Sequence, residues 1–400
     1  MHVDPRMKIL YVHPFAQQVS GPDESLIGLL HRLRESVAPV VALPPGSPHV
    51  KRYKDAGAAI IEQPMQRIRR TTKFNDLAAY GGLFVPETIR FRQIIRRHQI
   101  DLVHTNMEVV LQSGLAARLA GVPSVYHVRG TSFATPRRVC DLVAGAIDRF
   151  ADKIIVISRA VGEIFYERDI RSKVSVIYNS LDPRAFDTVN PVGVAKLRNE
   201  LSGGEAAAPL VATVGRINPR KGLECFVEAS SLVARSHPAA RFAIVGDAAH
   251  QTEHEYLARL QGLARDIGVS DRLVIAPARR NIAELMTAVD LFVMTTLNEG
   301  FGRVAIEAMA ARRAVVASNV GGLPEIVEEG VTGRLVPPND REAFAAAISE
   351  LLTERELLRR MGEEGRRRVE KLFSDEANAP AVLNIYRQLL DAPVRDSIVM

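Results

Sequence analysis

Residues 291–338 read LFVMTTLNEGFGRVAIEAMAARRAVVASNVGGLPEIVEEGVTGRLVPP, and the order of apolar runs and turns in this stretch decides the fold class. The run from Leu291 to Thr295 is short and rich in β-prone residues, as a buried strand is. The chain then turns through Asn298-Glu299-Gly300-Phe301-Gly302 and enters a helix near Arg303. Gly300 and Gly302 let backbone N–H groups face a ligand without an obstructing Cβ, and the helix directs its positive end to the same place, which suits a phosphate. Glu307 is the misfit. Its neighbours Val304, Ala305, Ile306, Ala308 and Met309 make the helix apolar nearly all round, so a carboxylate buried there needs a partner. Either an arginine pairs with it, or it faces a ligand crevice together with Glu299 at the carboxyl end of the strand, where open α/β sheets bind ligands.

Working outward, strand and helix signals alternate along the chain. Strands are expected at 7–13, 37–43, 58–61, 101–104, 124–128, 153–157 and 174–178, then at 210–214, 241–245, 272–275, 290–295, 314–318 and 334–336. Helices lie between them, including 25–36 after a polar loop at 17–24, and 112–120 stopped by Gly121. This alternation predicts an α/β protein with two doubly wound parallel sheets. The first domain is expected over 1–186 and the second over 187–375. A Pro-, Gly-, Asn- and Ala-rich linker containing one short helix is expected at 182–209, and a last helix at 376–390 packing back on the first domain.

Four hundred residues with 47% hydrophobic content are enough for two large cores, and no apolar run reaches eighteen residues. The opening MHVDPRMKILYVHPF lacks the apolar core of a signal peptide, and Cys140 and Cys225 match no metal or redox spacing. A cytoplasmic setting is expected. The net charge of +6 admits nucleic acid, an anionic membrane or an acidic small molecule as partner. With no Trp and eight Tyr there is no stacking platform among the basic residues, so no nucleic-acid partner is expected. The segment 67–97 is basic with interspersed apolar residues. It fits either peripheral contact with an anionic membrane, at its inner face, or a solvated helix beside an acceptor loop.

After strand 210–214 the chain reads Gly215-Arg216-Ile217-Asn218-Pro219-Arg220-Lys221-Gly222. A guanidinium at a strand end and an ammonium at a helix start, five residues apart, can clamp a diphosphate, although solvated surface cations are the commoner outcome. It is not a Walker loop, since Gly-Lys-Ser/Thr is absent. Gly246-Asp247 and Gly321-Gly322 mark further tight turns at the same edge. In the first half, His127 stands at a strand end beside Arg129 and Gly130; a lone strand histidine is also commonly a packed core residue.

Taken together, GRINPRKG (215–222), AIVGD (243–247), LNEGFGRVAIEAMA (297–310) and VVASNVGGLPEIVEEGVTGRLVPPND (315–340) resemble the family 4 retaining glycosyltransferases. VHTN (103–106), YHVRG (126–130), VISRAVGEIF (156–165) and VIYNSLDPRAF (176–186) extend the resemblance through the first half, over about residues 8–390 in all. It implies the GT-B fold, two Rossmann-like domains facing across a cleft, and sugar transfer with retention by front-face attack. The implied donor is a UDP- or GDP-type nucleotide sugar, and the acceptor a glycan, a lipid-linked sugar or a small molecule. Carried over by position, Arg216 and Lys221 neutralise the diphosphate and Glu299 contacts the donor sugar. Gly246, Gly300, Phe301, Gly302 and Val304 line the donor, and Glu307 takes the ribose hydroxyls. In the first half His127 lies against the transferred sugar, Gly21 approaches the diphosphate, and Asp23 and Arg129 are acceptor-side contacts. The resemblance implies no metal and no cofactor, and no Asp-x-Asp pair is evident.

The chain departs from the family pattern in three places. It has a single glycine in Ser20-Gly21-Pro22-Asp23, Pro277 in the turn that faces the base, and Asn179-Ser180 for a common Asn-Gly. Competing readings are a GT-B nucleotide-sugar epimerase or phosphorylase, a nicotinamide-dependent oxidoreductase and a non-catalytic nucleotide-sugar-binding protein. No Gly-x-Gly-x-x-Gly follows the first strand, which speaks against the oxidoreductase.

Overall fold

The computed structural model describes residues 6–14, 21–68, 74–130, 137–168 and 170–392. Its contacts divide the chain into two units, 1–180 with 375–400, and 181–374. In the first unit the strands are β1 (Met7–Val12), β2 (Val37–Leu43), β3 (Ala59–Glu62), β4 (Leu102–Thr105), β5 (Ser124–Val128), β6 (Lys153–Val156) and β7 (Val174–Val176). The helices between them are α1 (Gly21–Leu33), α2 (Val50–Asp55), α3 (Phe74–Arg97), α4 (Leu111–Ala120), α5 (Arg137–Phe150) and α6 (Arg159–Tyr166). The sheet is parallel throughout, in the order β3-β2-β1-β4-β5-β6-β7. Its central strands are apolar at consecutive positions rather than alternately, because helices cover both faces. α4 ends as the sequence predicts, with Gly121 left-handed at φ 76° and bonding back to Arg118 O.

The second unit contains α7 (Pro191–Leu201), β8 (Leu210–Val214), α8 (Leu223–Ser236), β9 (Arg241–Val245), α9 (Gln251–Asp266), β10 (Leu273–Ala276) and α10 (Ile282–Ala288). It continues with β11 (Leu291–Met294), α11 (Arg303–Ala310), β12 (Ala314–Ser318), α12 (Leu323–Ile326), β13 (Gly333–Val336), α13 (Arg341–Thr353) and α14 (Arg355–Leu372). Its six parallel strands run β10-β9-β8-β11-β12-β13. The last helix, α15 (Asp375–Leu390), belongs to the first unit, where Ala379, Val382, Ile385 and Tyr386 enter the core with Leu26 and Leu30. Both units are Rossmann-like, with strand order reversing between β1 and β4 and between β8 and β11.

Three expectations are corrected. The first helix starts at Gly21, not near Ser25, so Asp23 lies in its first turn; residues 15–20 of the expected loop lie outside the described residues. The stretch 182–209 is not a linker. Pro191 stands at the start of α7, Asn190 caps it, and Leu201 is fully buried in a core with Leu210 and Leu285. The proline and glycines that suggested a linker are the start signal of this helix and the Gly203-Gly204 turn after it. The units also meet at 180/181 rather than 186/187, because Leu181 bridges Ser374 and donates to Phe373 O within the second unit. Among the described residues no helix is long and apolar enough to cross a membrane.

Candidate active site

In the second unit the chain-order reversal leaves a gap above the carboxyl ends of β8 and β11, the place where open α/β sheets take ligands. A hollow of about 290 Å³, open to solvent, lies there. It is lined by Thr213, Gly215, Arg216 and Lys221 from the β8 side and Thr295 and Thr296 from the β11 side. The ammonium of Lys221 donates to Glu299 Oε2 at 2.7 Å, joining two residues 78 positions apart. Their side chains are 27% and 21% exposed, and a pair this accessible contributes only about 1 kcal/mol to stability. Arg216 is half-exposed, with Nε 4.0 Å from Oε1 of the buried Glu253. Glu253 in turn accepts from the Ala249 and His250 amides at the start of α9.

Residues that the sequence reading missed hold this arrangement. Thr295 Oγ1 donates to Lys221 O and Thr296 Oγ1 to Arg220 O, at 3.1 and 3.0 Å, and Leu297 N donates to Arg220 O. Asn218 accepts from Arg220 N and turns the loop. The pair of threonines closing an otherwise apolar strand was the available signal. Gly222 is left-handed at φ 57°, and a Cβ there would stand 2.3 Å from Thr295 O, so only glycine lets the lysine loop lie this close to β11.

The other glycines of the motif serve the backbone in the same way. A Cβ on Gly321 would meet Glu299 O at 1.9 Å, and Gly322 N donates to that same carbonyl at 3.0 Å. The Gly321-Gly322 turn therefore braces the Glu299 loop from behind. Gly302 is left-handed at φ 103° at the start of α11. Phe301, between the glycines, is buried edge-to-face on Phe373 and anchors the loop by its side chain. Gly246 sits where β9 ends, against Gly215 O.

The Glu307 side chain is largely buried, 13% exposed, and has the arginine partner that a carboxylate in such a helix needs. α11 turns Ala305, Ile306, Ala308, Met309 and Ala310 into the core and leaves Arg303, Val304 and Glu307 as a half-buried stripe, the three- and four-residue spacing of a helix face. Arg303 Nε donates to Glu307 Oε1 at 2.9 Å.

In the first unit His13, Asn106 and Arg129 follow β1, β4 and β5, beside the other reversal point. His127 and Arg129, two apart on a strand end, lie on the same side, and both are buried. Arg129 does not extend to solvent as an acceptor contact would. Its Nε donates to Asn106 Oδ1 at 2.5 Å, its Nη1 to Asn179 Oδ1 at 2.7 Å, and its Nη2 reaches His127 Nδ1 at 3.2 Å. Asp23 is fully buried, accepts from Tyr53 OH at 3.1 Å and lies 3.0 Å from His13 Nε2. Gly21 opens α1. Burial first, then the Arg129 charge, then the His104 ring hold His127 well below its ordinary pKa. His104, bonded through Nδ1 to Tyr386 OH at 2.7 Å, is pushed down to about 3 by burial and by Arg129.

Comparisons with known proteins agree with this layout. The family model described as Glycosyl transferases group 1 matches residues 202–368, and that of Glycosyltransferase Family 4 matches 20–185. A relative from Segniliparus rotundus, named D-inositol 3-phosphate glycosyltransferase, is 36% identical over 346 residues, 83% of this chain and 75% of the relative. The alpha-D-kanosaminyltransferase of Streptomyces kanamyceticus is 26% identical over 336 residues, 79% of this chain and 86% of that one. Among solved structures, the Anabaena protein HepE in complex with UDP and glucose superposes with a TM-score of 0.81 at 24% identity, covering 96% of this chain and 100% of its own. The fold is that of the GT-B enzymes, and the chain belongs to the family 4, group 1 glycosyltransferases.

Proposed function

We propose that this glycosyltransferase moves a sugar from a nucleotide-diphosphate donor of the UDP type to a hydroxyl acceptor, with retention and without metal or bound cofactor. The observation that carries this reading is the Lys221–Glu299 pair beside Arg216 at the reversal point of the second sheet. Lys221 offers three N–H donors, of which the bond to Glu299 occupies one, so the ammonium can turn to a diphosphate while Arg216 approaches it from the same loop. Two cations on one loop lower the energy of the departing diphosphate as its bond to the anomeric carbon breaks. The acceptor oxygen bonds to that carbon on the same face, and its proton passes to the departing phosphate oxygen. Glu299, held by Lys221, contacts the sugar hydroxyls, with Gly300, Phe301, Gly302 and Val304 beside it. UDP is favoured because the HepE complexes hold UDP and UDP-glucose. The acceptor classes are a glycan, a lipid-linked sugar or a polyol phosphate of the kind named for the Segniliparus relative.

Glu307 is assigned to the ribose hydroxyls. Glu307→Gln keeps the shape and removes the charge, so it weakens UDP binding about tenfold or more, the scale of a charge-assisted hydrogen bond. Calorimetry of wild type and variant with UDP tests both assignments. No UDP binding by the wild type overturns the donor reading, and equal affinities return Glu307 to its pair with Arg303.

A peripheral contact with an anionic membrane is part of the proposal. α3 exposes Val85 and Ile89, one turn apart on one face, with the exposed Arg96 two turns further along that face. The protein is expected to float with phosphatidylglycerol vesicles, and Ile89→Glu to weaken this; wild-type protein left at the bottom of the gradient removes the idea.

A further inference from the structure

We propose that Arg129 is a positioning residue that sets the tautomer of His127, with the proton on Nε2, and through Asn106 sets the same tautomer on His13. A guanidinium has five N–H donors and no acceptor, so every atom it bonds must accept. Arg129 Nη2 stands 3.2 Å from His127 Nδ1, which is therefore unprotonated. The proton of the neutral ring is then on Nε2. Arg129 Nε, 2.5 Å from Asn106 Oδ1, also decides which way that amide faces. Its nitrogen is left to donate to His13 Nδ1 at 2.9 Å. The His13 proton is thereby placed on Nε2, 3.0 Å from Asp23 Oδ1, the carboxylate oxygen that also accepts from Tyr53. One cation thus orients the His127 ring, the Asn106 amide and, through that amide, the His13 ring that stands beside Asp23 in the first turn of α1.

The anchoring makes this control rigid. Nη1 is fixed on Asn179 and the Arg129 amide donates to Glu108 Oε2 at 3.2 Å, so the guanidinium cannot swing away from His127 without breaking buried bonds. The other groups facing His127 bring no competing charge. His104, 5.3 Å away ring to ring, stays neutral at physiological pH, and the Tyr386 and Tyr11 hydroxyls behind it are held protonated by burial. Burial first, and then the Arg129 charge that a proton on Nδ1 would meet side by side, keep the imidazole neutral. Among the described residues His127 Nε2 has no hydrogen-bond partner although it is fully enclosed. A buried N–H without a partner is destabilising until an oxygen arrives. The inference rests on the reading above in one respect: the oxygen that Nε2–H receives is a hydroxyl of the transferred sugar.

The test uses the full chain with ¹⁵N-labelled histidine, the His127 signals being assigned by their loss in His127→Gln. Long-range ¹H–¹⁵N spectra between about pH 5.5 and 8.5 are expected to show His127 as the Nε2–H tautomer throughout in the wild type. In Arg129→Ala the ring should take up its proton at a higher pH than in the wild type, burial still holding it below its ordinary value, and His13 should lose its single tautomer. Arg129→Lys, which keeps a donating cation, should restore much of the wild-type pattern. Transfer by Arg129→Ala should gain an acid limb in kcat at a higher pH than any in the wild type while KM changes little, because the neutral ring fraction falls about tenfold per pH unit below the pKa. A wild-type His127 that carries its proton on Nδ1, or titrates near 6.5, overturns the proposal; so does Arg129→Ala with unaltered tautomers. The wild-type spectra decide the tautomer even where Arg129→Ala fails to fold. They need no donor or acceptor, so a failure of the glycosyl-transfer reading leaves this result standing and is recognised separately.

Discussion

Replacing Lys221 by alanine lowers glycosyl transfer by about 10²–10³-fold, the loss expected when one preorganised charge contact to a developing anion is removed. Glu299→Ala produces a loss of the same order. The two are joined at 2.7 Å, so each substitution also releases the partner from its fixed place. Lys221→Ala leaves a carboxylate facing the donor diphosphate, and Glu299→Ala leaves an ammonium free to swing along its four-carbon stem. The double variant should therefore be little worse than the poorer single one, the signature of residues acting as a unit. Lys221→Arg keeps the charge but not the compact point of donation, and is expected to recover only part of the rate. Initial-rate measurements with UDP-sugars decide this, alongside melting curves to establish folding. Both single variants retaining activity within about tenfold of wild type would falsify the assignment of the pair to the donor.

Gly246→Ala is expected to destabilise the second unit by about 3 kcal/mol or more, well beyond a typical substitution. A Cβ at this position would stand 1.8 Å from Gly215 O. Neither backbone can give way easily, because Gly215 N is bonded to Val245 O and Gly246 N to Ala276 O, tying three strand ends together. The Gly215 turn also carries Arg216 into the hollow, so any relaxation moves the proposed diphosphate clamp. Gly262→Ala is the contrasting case. It lies inside α9 with nothing within 4 Å of its would-be Cβ, and should stabilise by up to about 1 kcal/mol through helix propensity alone. Thermal melting separates them: Gly246→Ala should melt at least about 6 °C lower and Gly262→Ala no lower than wild type. A Gly246→Ala melt within a degree or two of wild type would mean that the strand ends are not rigidly packed.

The role of Gly246 shows where sequence reading ran short. Its turn at a sheet edge was legible, but the carbonyl it must avoid belongs to Gly215, thirty-one positions earlier. Gly321-Gly322 likewise looked like another ligand-facing turn and proves to be packed against the Glu299 loop. Glu307 was read as buried and in need of a partner, which it has in Arg303 at the helical spacing of four; the sequence left open which arginine that was. The stretch 182–209 misled in the opposite direction, since the short helix expected within a linker is a packed element of the second unit, with Leu201 wholly buried.

By itself the sequence determined the alternation of strands and helices, the two parallel sheets and the membership of a glycosyltransferase family. These follow from local periodicity, turn residues and short motifs, each complete within a few tens of residues. Only the tertiary structure decided which side chains meet. Lys221 reaches Glu299 across 78 positions, and Arg129 reaches Asn106 across 23 and Asn179 across 50. Such meetings depend on strand order, and strand order is fixed when buried surfaces choose among pairings that local patterns leave equally acceptable.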